Sequence, residues 1–195
     1  MRKKMKVSRA EAAQNRERIV ETAAKLFRER GFDGIGVADL MKSAGMTHGG
    51  FYGHFASKED LMAQACVRAQ ETGLNALRQV AEHDPENALA IIVSSYLSPA
   101  HRDQTGDGCV LAALGADAAR HGTPLRATFT HAVRATIDLL ARLVTGRSKH
   151  AKRQRALAIY ASMVGAIVLA RAVDDEELSG EILESVRASI IPTNS

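Results

Sequence analysis

Tryptophan is absent, aromatic residues make up only 4% of the 195-residue chain, and cysteine occurs twice, at Cys66 and Cys109. With so few rings the interior has to be filled by Ala, Leu, Ile, Val and Met, which suits closely packed helices better than sheets. The two cysteines form no metal-ligand or redox spacing, so neither a disulfide framework nor a metal site is expected, and a reducing compartment fits. No signal-peptide apolar stretch is present, and the longest apolar run, 156–170, falls short of the roughly 18 residues of a membrane span and contains Ser162 and Gly165. A soluble cytoplasmic protein with no membrane partner is expected. Catalytic signatures are missing as well. There is no phosphate loop, paired-histidine motif or nucleophile elbow, and Gly34-Ile35-Gly36 lacks the third glycine and the preceding strand of a dinucleotide fingerprint. Neither enzymatic activity nor a cofactor is expected, and a helical enzyme is a remote alternative.

What is present is ordinary globular composition, 46% hydrophobic and 25% charged, with an uneven distribution of charge. Residues 1–58 hold 12 Lys and Arg against 6 Asp and Glu, whereas residues 59–195 hold 14 against 16. Basic charge at one end points to a polyanion, either nucleic acid or an anionic membrane. The opening Arg2, Lys3, Lys4, Lys6 and Arg9 read equally as a solvated tail or a phosphate-seeking arm. A membrane-surface module is disfavoured because the first helix lacks large aromatic anchors.

Periodicity predicts helices throughout and no strand. Ile19, Val20, Ala23, Ala24, Leu26 and Phe27 mark a helix over about 9–30 that Gly31 ends; Val37, Leu40, Met41 and Ala44 mark a short one stopped by Gly45. A third helix is expected from an N-cap at Thr47, with Phe51 and Phe55 facing inward, and a fourth over about 58–82, capped by Ser57 with Asp60 three residues on. Its stripe of Met62, Cys66, Ala69, Gly73, Leu77 and Val80 ends at Asp84-Pro85. Further helices are expected at 86–97, 108–120, 125–144, 150–172 and 176–189, with Ser98-Pro99, Gly122-Thr123-Pro124, Thr145-Gly146 and Asp174-Asp175 as breakers.

Two short helices joined at Gly45-Met46 have the dimensions of a helix-turn-helix over 37–56. The run Gly45-Met46-Thr47-His48-Gly49-Gly50-Phe51-Tyr52-Gly53-His54-Phe55-Ala56-Ser57-Lys58-Glu59-Asp60-Leu61 closely resembles the DNA-binding signature of the TetR family of bacterial regulators. With Ile19, Ala23, Ala24, Phe27, Gly31 and Phe32 the resemblance covers roughly 14–70. It implies an all-α protein of about nine helices, a three-helix DNA-binding head (1–56) and a larger ligand-binding and dimerisation domain (57–195). It also implies a homodimer on a palindromic double-stranded operator, usually a repressor released by a small-molecule inducer, with an activator as the alternative. Thr47 and His48, at the start of the third helix, are the expected base readers. Tyr52, His54 and Lys58 are the expected phosphate contacts, as in the family. Gly49, Gly50 and Gly53 leave the reading face bare, so base readout is expected to be sparse and operator shape important. Gly36 departs from the family's usual Ser or Thr and leaves that cap without a side chain.

In the body, Ala156, Ile159, Met163, Ala166 and Ala170 form one face that suits either a dimer seam or the protomer's own core; the resemblance favours the seam, since the family dimerises through its last two helices. Candidate ligand-site groups are Tyr96, His101, Arg102, Cys109, His121, His131 and Arg134. Asp107 reads as the N-cap of the sixth predicted helix, which puts Cys109 in the first turn under the positive end of the helix. The Gly108-Cys109 pair resembles family members that sense electrophiles or oxidants, against the reading of Cys109 as an inert buried thiol.

Overall fold

The computed structural model describes residues 8–191, so Arg2, Lys3, Lys4 and Lys6 lie outside it. Nine α-helices follow one another: α1 (Arg9–Arg30), α2 (Val37–Ser43), α3 (Lys58–His83), α4 (Ala88–Tyr96), α5 (Pro99–Asp103), α6 (Val110–Ala118), α7 (Thr123–Leu143), α8 (Lys149–Ala172) and α9 (Glu176–Ile190). Two 3₁₀ segments, His48–Gly53 and Thr105–Asp107, complete the order, and no strand occurs among the described residues. The all-α reading and the helix count agree with this architecture.

Local chemistry sets the ends of these helices. The Ser8 hydroxyl accepts from the Glu11 N–H at 3.1 Å, and α1 stops at Gly31, whose φ of 74° is open to glycine but strained for other residues. Gly45 closes α2 at the same φ. The Ser57 hydroxyl accepts from Asp60 N–H at 3.1 Å, while the Asp60 carboxylate reaches back to the N–H of Ala56. The reciprocal lock therefore sits one residue earlier than in a capping box, which would use the N–H of Ser57 itself.

Three expectations need correction. The third helix is a 3₁₀ turn, and Thr47 stands at its start without a side-chain cap bond. Three glycines in six residues weaken an α-helix by about 1 kcal/mol each, so the tighter turn is held by its buried rings instead. Pro99 starts α5 rather than breaking the chain, because a proline in the first turn removes only an N–H with no helical partner; Ser98 caps it through His101 N–H at 3.2 Å. Asp107 ends its own 3₁₀ turn, and the N-cap of α6 is Cys109.

The head interior gathers Ile19, Ala23 and Phe27 of α1 around Leu40, Met41, Phe51 and Phe55, and it continues into Leu61, Met62 and Ala65 of α3. The body has its own core, in which Ile92, Ile137, Leu140, Ile159, Met163, Ile167 and Leu183 meet. In it α7 lies against both α3 and α8, and α9 folds back on α8. Buried Ser179 fastens that return by donating to the Ala170 carbonyl at 2.7 Å.

Candidate DNA-binding head and ligand cavity

Phe51 and Phe55 are buried, with ring centroids 5.5 Å apart, and they anchor the 3₁₀ turn from beneath. Arg16 adds a clamp, its guanidinium 5.2 Å from the centre of the Phe55 ring while it also donates to Gln64. Held this way, the turn shows its opposite side to solvent. Thr47, His48, Gly49, Tyr52 and Gly53 are exposed, and Gly50, His54 and Lys58 are half-buried. Tyr52 is 74% exposed, with its ring against the edge of Phe51 at 5.2 Å, so the hydroxyl is free to reach outward. A Cβ built on Gly49 or Gly53 would meet no atom within 4 Å, so the protein's own packing does not require glycine there. The bare surface faces outward. Gly36 caps α2 without a side-chain bond, as its lack of a side chain dictates.

A cavity of about 1000 Å³ opens in the body, walled by α3, α4, α6 and α7 and by the segment around α5. Tyr96, His101, Cys109 and His131 line it, and so do Thr136 and Tyr160, which sequence reasoning missed because only the fold brings α7 and α8 to this wall. The Tyr96 and Tyr160 hydroxyls both lie against the Cys109 thiol, and burial raises both phenols well above the usual range, keeping them protonated. Cys109 N–H donates to His101 Nε2 at 2.9 Å, so Nδ1 carries the proton and donates to the Tyr96 carbonyl at 2.6 Å. Burial lowers the His101 pKa, favouring this neutral ring. Cys66 is buried in the head interior, where desolvation pushes its thiol up to about 12.

The other proposed ligand groups stand elsewhere. Arg102 turns away from the cavity, pairing with Asp103 at 2.7 Å and donating to Ser179 at 3.0 Å, because the start of α9 offers it acceptors. His121 meets the edge of Phe32 at 5.2 Å where head and body touch. Arg134 lines a separate open groove between α6 and α7.

A connection invisible in the sequence joins head and cavity. Arg28 of α1 donates to the Gly106 carbonyl at 2.7 Å, and Lys25 pairs with Asp107 at 3.3 Å. The 3₁₀ turn gripped from the head is thus the segment that leads directly into Cys109. Gly106 leaves room for this approach, since a Cβ there would sit 2.4 Å from Glu29.

The seam residues also need correction. Ala156, Ile159, Met163, Ala166 and Ala170 are all buried inside the protomer, because α8 turns that face toward α7 and α9. Yet α8 is apolar on its other side too, with Leu157, Val168 and Leu169 exposed, Leu169 at 56%. An 18-residue window of it has a mean hydropathy of 1.5, long and apolar enough by composition to cross a membrane, although the apolar-run criterion passed it over. Only 33% of that window is buried. A helix apolar on all sides needs cover on all sides, so this second face calls for a partner.

An all-helical body behind a helix-turn-helix head defines a class of DNA-binding regulator. Residues 19–65 match the family described as bacterial regulatory proteins, tetR family. The chain belongs to that family. Among curated proteins, the HTH-type transcriptional repressor NemR of Escherichia coli K12 is 28% identical over 166 residues, spanning 80% of this chain and 83% of the relative. The HTH-type transcriptional repressor BepR of Brucella suis is 33% identical over 94 residues, covering 48% of this chain and 45% of BepR. Among solved structures, reduced E. coli NemR superimposes with a TM-score of 0.78 at 24% identity over 91% of this chain and 95% of that one. A TetR-family regulator from Cytophaga hutchinsonii gives the same score at 22% identity, covering 95% and 96%.

Proposed function

We propose that this protein is a DNA-binding transcriptional repressor, not an enzyme, that holds a palindromic operator as a homodimer and lets go when a small molecule or an electrophile enters the body. The observation that carries the reading is the turn 48–53, fixed from below by Phe51 and Phe55 and presenting Tyr52 to solvent. In this reading 1–56 forms the DNA-binding head and 57–195 the ligand and dimer domain, with α3 shared between them. Thr47 and His48 meet base edges, and Tyr52, His54 and Lys58 hold phosphates on either side. Gly49, Gly50 and Gly53 let the backbone approach closely.

Two heads spaced about 34–36 Å apart would meet successive major grooves. The exposed Leu157, Val168 and Leu169 face supports dimerisation through α8 and α9. Ligand occupancy reaches the head through α3 and through the Arg28–Gly106 contact. Cys109, lining the cavity, is the residue an electrophile or oxidant would modify.

The test is selection of bound duplexes from genomic fragments, followed by anisotropy titration at several salt concentrations. A selected palindrome bound by a dimer, with affinity falling steeply as salt rises, supports the reading. Failure to retain any duplex at low salt removes it. Cys109→Ser separates the inducer classes: lost response to N-ethylmaleimide supports sensing at this thiol, and unchanged response refutes it.

A further inference from the structure

We infer that the cavity takes a neutral, mainly apolar molecule carrying a hydrogen-bond-accepting oxygen, as in an aromatic ketone, and that the Tyr96 hydroxyl is the donor that receives it. The inference rests on reading the body as a ligand-binding module. It starts from two polar groups that line the cavity and lack a partner in the folded chain: the Tyr96 hydroxyl and the Gln70 side-chain amide nitrogen are both buried and unbonded. A buried donor without an acceptor is costly, and folded proteins leave few of them. Tyr96 stays a phenol, because burial and the neighbouring Cys109 and Tyr160 all oppose its ionisation.

The walls also say what the ligand is not. Arg68 is engaged by Glu17 and Glu21, Asp107 by Lys25, and Arg28 by the Gly106 carbonyl. His101 spends both ring nitrogens on backbone partners, and Glu71 is exposed. A carboxylate or an ammonium ion would therefore shed its water without meeting an unpaired opposite charge in the interior. Leu77, Val80, Ile92, Phe129 and Val133 supply apolar wall instead. The volume of about 1000 Å³ suits a molecule of two rings or more.

Calorimetric titration of the full chain with four matched probes tests this: benzophenone, diphenylmethane, 4-benzoylbenzoate and 4-(aminomethyl)benzophenone. Benzophenone should bind about tenfold more tightly than diphenylmethane and than either charged analogue, the difference expected of one buried hydrogen bond. Tyr96→Phe should bring benzophenone down to the level of diphenylmethane while leaving diphenylmethane itself unchanged, a pattern that general misfolding cannot produce. Gln70→Leu serves as the second variant, expected to reduce ketone binding without strengthening the charged probes. A charged analogue that binds as well as benzophenone overturns the inference but leaves the body a ligand-binding module. A ketone preference that survives Tyr96→Phe does the same. Failure of all four probes to bind overturns both.

Discussion

Arg28 and Gly106 are 78 positions apart in the chain, yet the guanidinium of one donates to the carbonyl of the other at 2.7 Å. Burial lowers the Arg28 pKa, while nearby Asp107 favours the charge, so the contact is a charge-assisted bond in a partly shielded site. Such bonds contribute about 1.5–3 kcal/mol. Arg28→Gln should cost about 1–2 kcal/mol at this partly exposed position. It should also speed amide exchange across 106–110 by about tenfold without loosening the middle of α1. Unchanged exchange in that segment would mean the head does not hold the cavity wall.

His101 predicts a pH dependence with a definite sign. Its pKa is lowered by burial and by Arg171, although the Tyr96 carbonyl opposes the shift. Below about pH 6.5 the unfolded chain takes up the proton first, so stability is full above that point and declines as pH falls further. Protonation also removes the Nε2 lone pair that accepts from Cys109 N–H. Thermal denaturation at pH 7.5 and 5.5 should show a larger loss for wild type than for His101→Gln. Parallel pH profiles for the two proteins would remove His101 as the cause.

In the head, anchoring and contact separate by residue. Phe51→Ala should cost about 3–5 kcal/mol and unfold the turn. Tyr52→Phe, on an exposed ring, should change stability by less than about 0.5 kcal/mol while weakening operator binding several-fold. Lys58→Ala should weaken binding evenly across sequences and reduce the slope of log affinity against log salt by about 1. An unaltered slope would take Lys58 off the phosphate.

Glycine in the turn gives a sharper test of close backbone approach. Gly53 does not need a positive φ and has open space where a Cβ would go, so Gly53→Ala should leave the melting temperature unchanged or slightly raised. If DNA occupies that space, operator affinity should nevertheless fall. Equal affinity would show that the duplex stays clear of Gly53.

How much of this could be read from the sequence depended on the range of the interaction. Helices such as α1 and α3 were legible because Ser8, Gly31, Ser57 and Asp84 punctuate them within a few residues of the apolar stripe they bound. The head was legible because its motif is contiguous. Pro99 was misread because proline both stops and starts helices, and only the Ser98 cap decides which. Cys109 was placed one turn too deep because the competing acceptor for its N–H, His101, is supplied by the missed α5 segment. The Arg28–Gly106 bond and the meeting of Tyr96, Tyr160 and Cys109 depend on helix packing, which leaves no local signature.

The α8 stripe shows the same limit and yields the last prediction. Periodicity finds a face of small and medium residues but cannot tell a core from a seam when both sides of a helix are apolar. The structure assigns Met163 to the protomer core, at 2% exposure, and leaves Leu169 56% exposed. Met163→Ala should therefore destabilise the protomer by about 2–5 kcal/mol. Leu169→Glu should leave the protomer folded, because its side chain has little to lose there, but should put a charge into the proposed seam. Sedimentation velocity should then find monomers for Leu169→Glu at concentrations where wild type is dimeric, together with weaker binding to a two-half-site operator. A Leu169→Glu protein that stays dimeric would place the partner on another face and leave the apolar side of α8 without an explanation.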